Sequence, residues 1–437
     1  MDKATLKDLA CKAIRTHAEE IIRLGDSIFR EPELGFKETA SAAKVAAALE
    51  RHGIAPTTGH ALTGVKARLK GARSQRTVAV LGELDAVICF DHPFANPQTG
   101  AAHACGHFAQ LAAMVGCGIG LADSGAMAHL AGDVALLAVP AEEYVEIEYR
   151  DRLCRDGKLT YLGGKPELIA GGHFDDVDMA MMVHSDTTGE GGRIVKTGGS
   201  SNGFIGKLAR FTGREAHAAG APDQGINALN AALLAITAVN AQRETFRDGD
   251  CVRFHPIITK GGDLVNVIPA DVRMESYVRA RTVEAMLDAN KKVDRALKAG
   301  ADAIGASVAI TDLPGYLPLI SEPTMDSLFA ANATALLGSA AVKAAGHTAG
   351  STDMGDLAHI MPVIQPYVGG VTGLAHTREF AVVDPEMAYI VPAQIMAMTV
   401  IDLLAGDAAV AEKVVADYKP KMTKESYLQF MENLRTK

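Results

Sequence analysis

The chain has 437 residues, a net charge of −9, 48% apolar and 22% charged residues. That length exceeds one ordinary core and predicts two domains, while the composition is that of a soluble α/β enzyme rather than a disordered or fibrous chain. The acidic balance, with no basic stripe to hold a phosphate backbone, excludes a nucleic-acid partner.

No stretch reaches the roughly 18 uninterrupted apolar residues that a membrane-crossing helix needs, and the opening Met1-Asp2-Lys3-Ala4-Thr5 lacks the apolar centre of a signal peptide. The six cysteines (Cys11, Cys89, Cys105, Cys117, Cys154, Cys251) form no CxxC pair, a usage that suggests reduced thiols. The expectation is a cytoplasmic protein with no membrane partner.

In chain order, apolar spacing predicts a helix from Leu6 to about Phe29 and another from Glu38 to His52, around the connection Glu31-Pro32-Glu33-Leu34-Gly35-Phe36. Thr77–Leu81 reads as a buried strand ending in Gly82-Glu83-Leu84-Asp85-Ala86. After His103-Ala104-Cys105-Gly106-His107 an apolar run from Leu111 to Leu121 reads as a buried helix. A second strand, Val134–Val139, leads into Pro140-Ala141-Glu142-Glu143, and a third, Asp178–Val183, into His184. Apolar strands alternating with helices argue for a mostly parallel sheet covered on both faces.

From about Thr197 the texture changes. Phe204–Thr212, Ile226–Arg243, Val252–Thr259, Val272–Arg281, Val283–Ala303 and Ser307–Thr311 read as strand, helix, strand, strand, helix and strand. That order is ferredoxin-like, a smaller domain inserted in the first. The expected division is 1–196 for the first part of the catalytic domain, 197–312 for the insert and 313–437 for the second part. In the last part a helix (Thr324–Leu337), a strand (Met361–Val368), the loop Gly373-Leu374-Ala375-His376, a closing helix (Met387–Leu404) and a solvated terminal helix are expected.

Ligand sites in open α/β sheets form beyond the carboxyl ends of the strands. Here Asp85, the Glu142–Glu143 pair, His184 and His376 all follow predicted strands, and Cys105 and His107 lie in the turn after the first. In an extended or turning segment the i, i+2 spacing points Cys105 and His107 the same way, so they can grip one metal ion or two adjacent ones. The mixed sulfur, nitrogen and oxygen set suits zinc, manganese or a similar divalent ion. Adjacent carboxylates point apart, which allows Glu143 to ligate while Glu142 serves as general base. Asp85 can cap the following turn or orient a ligand.

The phrases Glu31–Phe36, Glu83–Ala86, His103–His107 and Pro140–Glu143, together with Arg214–Pro222, Gly225–Ala228 and Asn266-Val267-Ile268-Pro269, resemble the amidohydrolase and aminoacylase branch of the di-metal carboxypeptidases. Auxin-conjugate hydrolases, N-acyl-amino-acid hydrolases and aminobenzoyl-glutamate hydrolase belong there, and Gly350-Ser351-Thr352-Asp353-Met354-Gly355-Asp356 is most similar to the last. The resemblance implies a di-metal exopeptidase-like catalytic domain with an inserted lid and dimerisation domain, hence a homodimer. It implies that Cys105, His107, Glu143, His184 and His376 hold two divalent ions per chain, zinc or manganese, with Glu142 as the base. His217 would steady the oxyanion of a neighbouring active site, and Asn266 and Arg279 would hold the carboxylate of an N-acyl amino acid or dipeptide. Two departures stand out: Phe108 replaces a usual Asp, and Tyr144 opens an insertion reaching about Gly172. Rival readings are a thiol hydrolase with Cys105 as nucleophile and His107 as base, and a non-catalytic acyl-amino-acid binder.

Overall fold

The computed structural model describes residues 1–187 and 192–435. The chain divides into two compact units, Met1–Ser200 with Ile320–Gly346 and Asp356–Thr423, and Ser201–Leu319 with His347–Gly355 and Lys424–Lys437.

The first unit is built on a six-stranded sheet in the spatial order Pro56–His60, Gly64–Leu69, Asp133–Val139, Thr77–Glu83, Met179–Met181, Val363–Ile364. The last four strands run parallel. Every residue of Thr77–Glu83 and Asp133–Val139 is buried, as strands covered on both faces must be. Helix His107–Asp123 is apolar on all sides and buried from His107 to Leu121. It lies close on the central strand because Gly82 has no side chain: a Cβ there would stand 3.0 Å from the Leu111 backbone.

Several expectations change in detail. The predicted Leu6–Phe29 helix is two helices, Lys3–Thr16 and Ala18–Phe29, broken at His17. The antiparallel ribbon Pro56–His60 with Gly64–Leu69 was not expected, because its outer strand is polar and mostly exposed. The predicted strand Met361–Val368 is two short strands in different sheets, Val363–Ile364 beside Met179–Met181 and Tyr367–Val368 beside His184–Ser185. Pro366, which has no N–H for a ladder, falls between them. The closing helix spans Glu386–Leu404 with a π-helical first turn. It is the one described helix long and apolar enough to cross a membrane, and it is buried inside this unit.

The second unit carries a four-stranded antiparallel sheet ordered Arg253–Lys260, Asp271–Ala280, Gly203–Thr212, Ser307–Pro314. Helices Ala228–Ala241 and Val283–Asp302 complete the β-α-β-β-α-β order read from the sequence. Asn227 and Thr282 cap them through their side chains, and Phe211, Val272, Met274 and Leu297 fill the core.

Two segments outside the expected 197–312 insert group with this unit. His347 bonds Asn202 at 2.9 Å and Ser351 accepts from Arg279 at 2.7 Å, which ties His347–Gly355 to the sheet. The terminal helix Lys424–Leu434 packs against Ser307–Pro314 and is not merely solvated, since Tyr427 and Met431 are fully buried. The final two residues of the tail lie outside the described residues. Truncating a buried aromatic ring costs about 3–5 kcal/mol, so Tyr427→Ala is expected to lower the urea midpoint clearly. A midpoint equal to wild type would show that the tail helix is not docked.

Candidate metal centre

The loops that follow the strands of the first unit converge. Gly106, with φ 106°, turns the chain so that Cys105 precedes and His107 opens the long helix; a Cβ at 106 would strike Ser185 Oγ at 2.2 Å. Ala141 (φ 52°) and His376 (φ 62°) also hold left-handed backbone, strain of the kind that clusters at functional sites. The His376 N–H donates to Ala104 O at 2.7 Å, which seats the 373–376 loop beside Cys105.

Cys105 Sγ lies 3.5 Å from His184 Nε2, and His376 Nε2 lies 2.9 Å from Glu143 Oε1. His107 is oriented by the Asp85 carbonyl, 2.9 Å from Nδ1, and turns Nε2 toward Glu83 Oε2 at 3.2 Å and Glu142 Oε2 at 3.7 Å. The Asp85 carboxylate accepts the Glu143 N–H at 2.8 Å. Asp85 thus orients both a histidine and the acidic pair, the second of the two roles its sequence position allowed.

Under His107 lies a layer that spacing gave no means to read. Glu83 is fully buried; Lys165 Nζ donates to its Oε1 at 2.5 Å and Gln110 Nε2 to its Oε2 at 2.9 Å. Lys165 is itself fully buried on the short helix Gly164–Ala170 of the 144–172 insertion. Arg150, from the same insertion, donates to Ala141 O and Leu162 O and is wholly enclosed, so the insertion docks against the Glu142 loop. Phe108, where a polar residue was expected, packs between Phe29 and Tyr389.

Charge is tuned by these contacts. Burial raises the Cys105 thiol and Glu143 adds to this, but His107 and His184 outweigh both and bring it down to about 6. Glu143 raises the His376 imidazole to about 11. Burial would raise Glu143, and His376 holds it below the usual carboxylate range. The site therefore favours a thiolate and a carboxylate, the states that bind divalent ions.

The residues fit a metal. Three groups each bring one ligand atom apiece within 4.8 Å of one another: Cys105, His107 and His184; Cys105, Glu143 and His376; and Glu83, His107 and Glu142. His107 Nε2 and Asp85 Oδ1 are buried without a hydrogen-bond partner. All five ligand candidates and Glu142 are thus brought together in this unit.

Comparison with known proteins agrees. The peptidase dimerisation domain model matches residues 199–304. The mouse protein named Xaa-Arg dipeptidase is 28% identical over 97% of this chain and 94% of its own length. The N-acyl-L-amino acid amidohydrolase of Geobacillus stearothermophilus is 27% identical over 69% of this chain and 81% of its own. The chain thus carries a peptidase dimerisation domain and is similar along most of its length to dipeptidases and amidohydrolases. A Bacillus subtilis structure described as a dinuclear metal binding peptidase from the M20 family shares the fold, with a TM-score of 0.65 and 21% identity over 89% of this chain and 99% of the other. These likenesses mark the chain as a hydrolytic enzyme.

The remaining sequence-predicted residues lie in the second unit. His217 is exposed, and its Nδ1 accepts the Gly220 N–H at 3.0 Å, which leaves Nε2 as the protonated, donating nitrogen. Asn266 is exposed and its carbonyl accepts the Ala218 N–H at 2.9 Å. Arg279 donates to Ser351 Oγ and His255 Nε2 and stacks near Phe204 and Tyr277.

Removing one partner of a buried ion pair costs about 3–5 kcal/mol, whereas replacing both with neutral groups is far milder. Lys165→Met should therefore lower stability markedly, and Glu83→Gln/Lys165→Met should recover most of the loss in urea denaturation. A double variant no better than Lys165→Met alone would remove the ion pair from its structural role.

Proposed function

We propose that this hydrolase uses two divalent ions, zinc or manganese, to cleave the amide bond of an N-acyl amino acid or dipeptide-like substrate with a free carboxylate. The observation that carries the reading is the pair of ligand groups, Cys105–His107–His184 and Cys105–Glu143–His376, which meet at one sulfur. These five residues would hold the ions. The names of the mouse and Geobacillus relatives support the substrate class.

When bound, the ions would polarise the scissile carbonyl and acidify a water. Glu142, largely buried and unneeded by either ligand group, takes the proton of the attacking water and passes it to the leaving amine. His217, exposed and with Nδ1 engaged by the Gly220 N–H, donates from Nε2 to the oxyanion of a neighbouring copy's site. Arg279, aimed by Ser351 and the flanking aromatic rings, grips the substrate carboxylate with its planar fork, and Asn266 assists. Asp85 acts through His107 and Glu143 as a positioning residue.

The homodimer is part of the proposal. Ile257, on the edge strand Arg253–Lys260, is 62% exposed, an apolar side chain on an unpaired strand edge. A cytoplasmic setting is also proposed, supported by the cysteine usage: no two cysteines are joined in a disulfide among the described residues.

Thiol catalysis by Cys105 is the rival that its lowered thiol favours. Metal content by mass spectrometry, with hydrolysis of a panel of N-acyl amino acids and dipeptides before and after chelation, separates them. We expect at least two ions per chain, activity lost on chelation and restored by metal, and a roughly 10²–10⁴-fold lower kcat in Glu142→Gln with its metal retained. Turnover indifferent to chelator would instead make Cys105 the nucleophile. Arg279→Lys should raise KM by at least about tenfold with a smaller change in kcat, because an ammonium cannot replace the bidentate fork. Light scattering should give twice the chain mass, and a monomer at every concentration would refute the dimer.

A further inference from the structure

Helix His107–Asp123 carries a catalytic-centre residue at its first position and an acid at its last. At about 1.5 Å per residue these ends are roughly 24 Å apart. Around Asp123, within the same unit, stand His17, between helices Lys3–Thr16 and Ala18–Phe29; Glu20, in the first turn of the latter; and His52, the C-cap of Thr39–Arg51. None of the four belongs to the metal centre described above.

Their geometry is ordered. His52 Nε2 and His17 Nδ1 lie 3.2 and 3.8 Å from the same Glu20 oxygen, Oε2. The opposite ring nitrogens, His52 Nδ1 and His17 Nε2, lie 2.8 and 3.1 Å from one oxygen of Asp123, Oδ2. The rings meet edge to face with centroids 4.6 Å apart. Each imidazole thus turns one nitrogen to Glu20 and the other to Asp123.

A tetrahedral zinc ion, with ligand atoms about 2.0–2.1 Å away, sets those atoms about 3.3 Å from one another. Glu20 Oε2 stands 3.2 and 3.8 Å from the two imidazole nitrogens that face it, and the three residues bring one ligand atom each within 4.8 Å of one another. Asp123 sits where a carboxylate receives the second ring N–H of a metal-bound histidine and so fixes the ring. Arg51 bonds the other Glu20 oxygen, Oε1, at 2.8 Å and leaves Oε2 to the imidazoles. The carboxyl ends of Lys3–Thr16, Thr39–Arg51 and His107–Asp123 direct partial negative charge here against the partial positive charge of one amino end, that of Ala18–Phe29, a balance that favours a cation. The His52 side chain is only 8% exposed, while those of His17, Glu20 and Asp123 are 24–31% exposed, so the cluster is anchored at His52 and open to solvent at its rim.

We propose that His17, Glu20 and His52 form a further divalent-metal site of the zinc type, with Asp123 orienting both histidines. An ion there ties four helices of the first unit together and has a structural role.

The test is zinc uptake by the chelator-stripped full-length protein, counted by mass spectrometry, beside His17→Ala/His52→Ala and Asp123→Asn. The double variant is expected to hold one zinc ion fewer per chain than wild type and to lose part of the zinc-dependent rise in unfolding temperature. Asp123→Asn keeps all three ligands and is expected to weaken this site about 10–100-fold against a competing chelator. The same one-ion difference should persist in a Cys105→Ser background, which separates this site from the catalytic cluster. Equal zinc counts and equal unfolding temperatures in all three proteins would leave a hydrogen-bonded imidazole–carboxylate cluster only and overturn the proposal.

Discussion

A buried carboxylate at the end of the central strand governs the arrangement of the first unit. Glu83 closes a strand that water does not reach, and burial by itself would push its carboxyl up; Lys165 and His107 outweigh that and hold it low. An unpaired charge in such a place costs several kcal/mol, so the elements that supply its partners cannot drift. Gln110 and His107 fix the long helix along the strand, and Lys165 fixes the insertion beneath it. The ammonium also occupies one Glu83 oxygen, in a carboxylate close enough to His107 to compete for a metal.

Everything chemical in the cluster stands on that footing. Asp85, two residues after Glu83, orients His107 with its carbonyl and the Glu143 backbone with its carboxylate. One short segment therefore aligns residues from two further loops. The left-handed turns at Gly106, Ala141 and His376 are held by packing and by the His376–Ala104 bond. Concentrating imidazoles around a sulfur lowers the thiol, and pairing Glu143 with His376 keeps the carboxylate charged. The sulfur and the carboxylate are thus held in the charged states a divalent ion takes, while the imidazoles give up their protons to it on binding.

The second unit is organised by different means. Its sheet is antiparallel, its helices are capped by Asn227 and Thr282, and close approach of Gly300 to the Ala235 backbone brings the two helices together. Arg279 is held between a hydroxyl, an imidazole and two aromatic rings. Such restraint reduces the entropy lost when a guanidinium binds a carboxylate.

Much of this was legible in the chain. Thr77–Leu81 and Val134–Val139 are apolar throughout because both faces are covered, and chemistry-bearing residues directly follow them because open sheets place ligands at strand ends. The β-α-β-β-α-β order followed from period and punctuation alone. What the sequence could not disclose are contacts between residues far apart in it. Lys165 lies 82 positions from Glu83 and looks like any surface lysine until folding buries both. Tyr427 in a charged tail, the polar ribbon at Pro56–His60, and the ring of His17, Glu20, His52 and Asp123 are of the same kind. Local pattern determined which segments are apolar and where reactive residues fall. Only the tertiary structure decided which charges meet, because burial and pairing are set by partners brought from elsewhere in the chain.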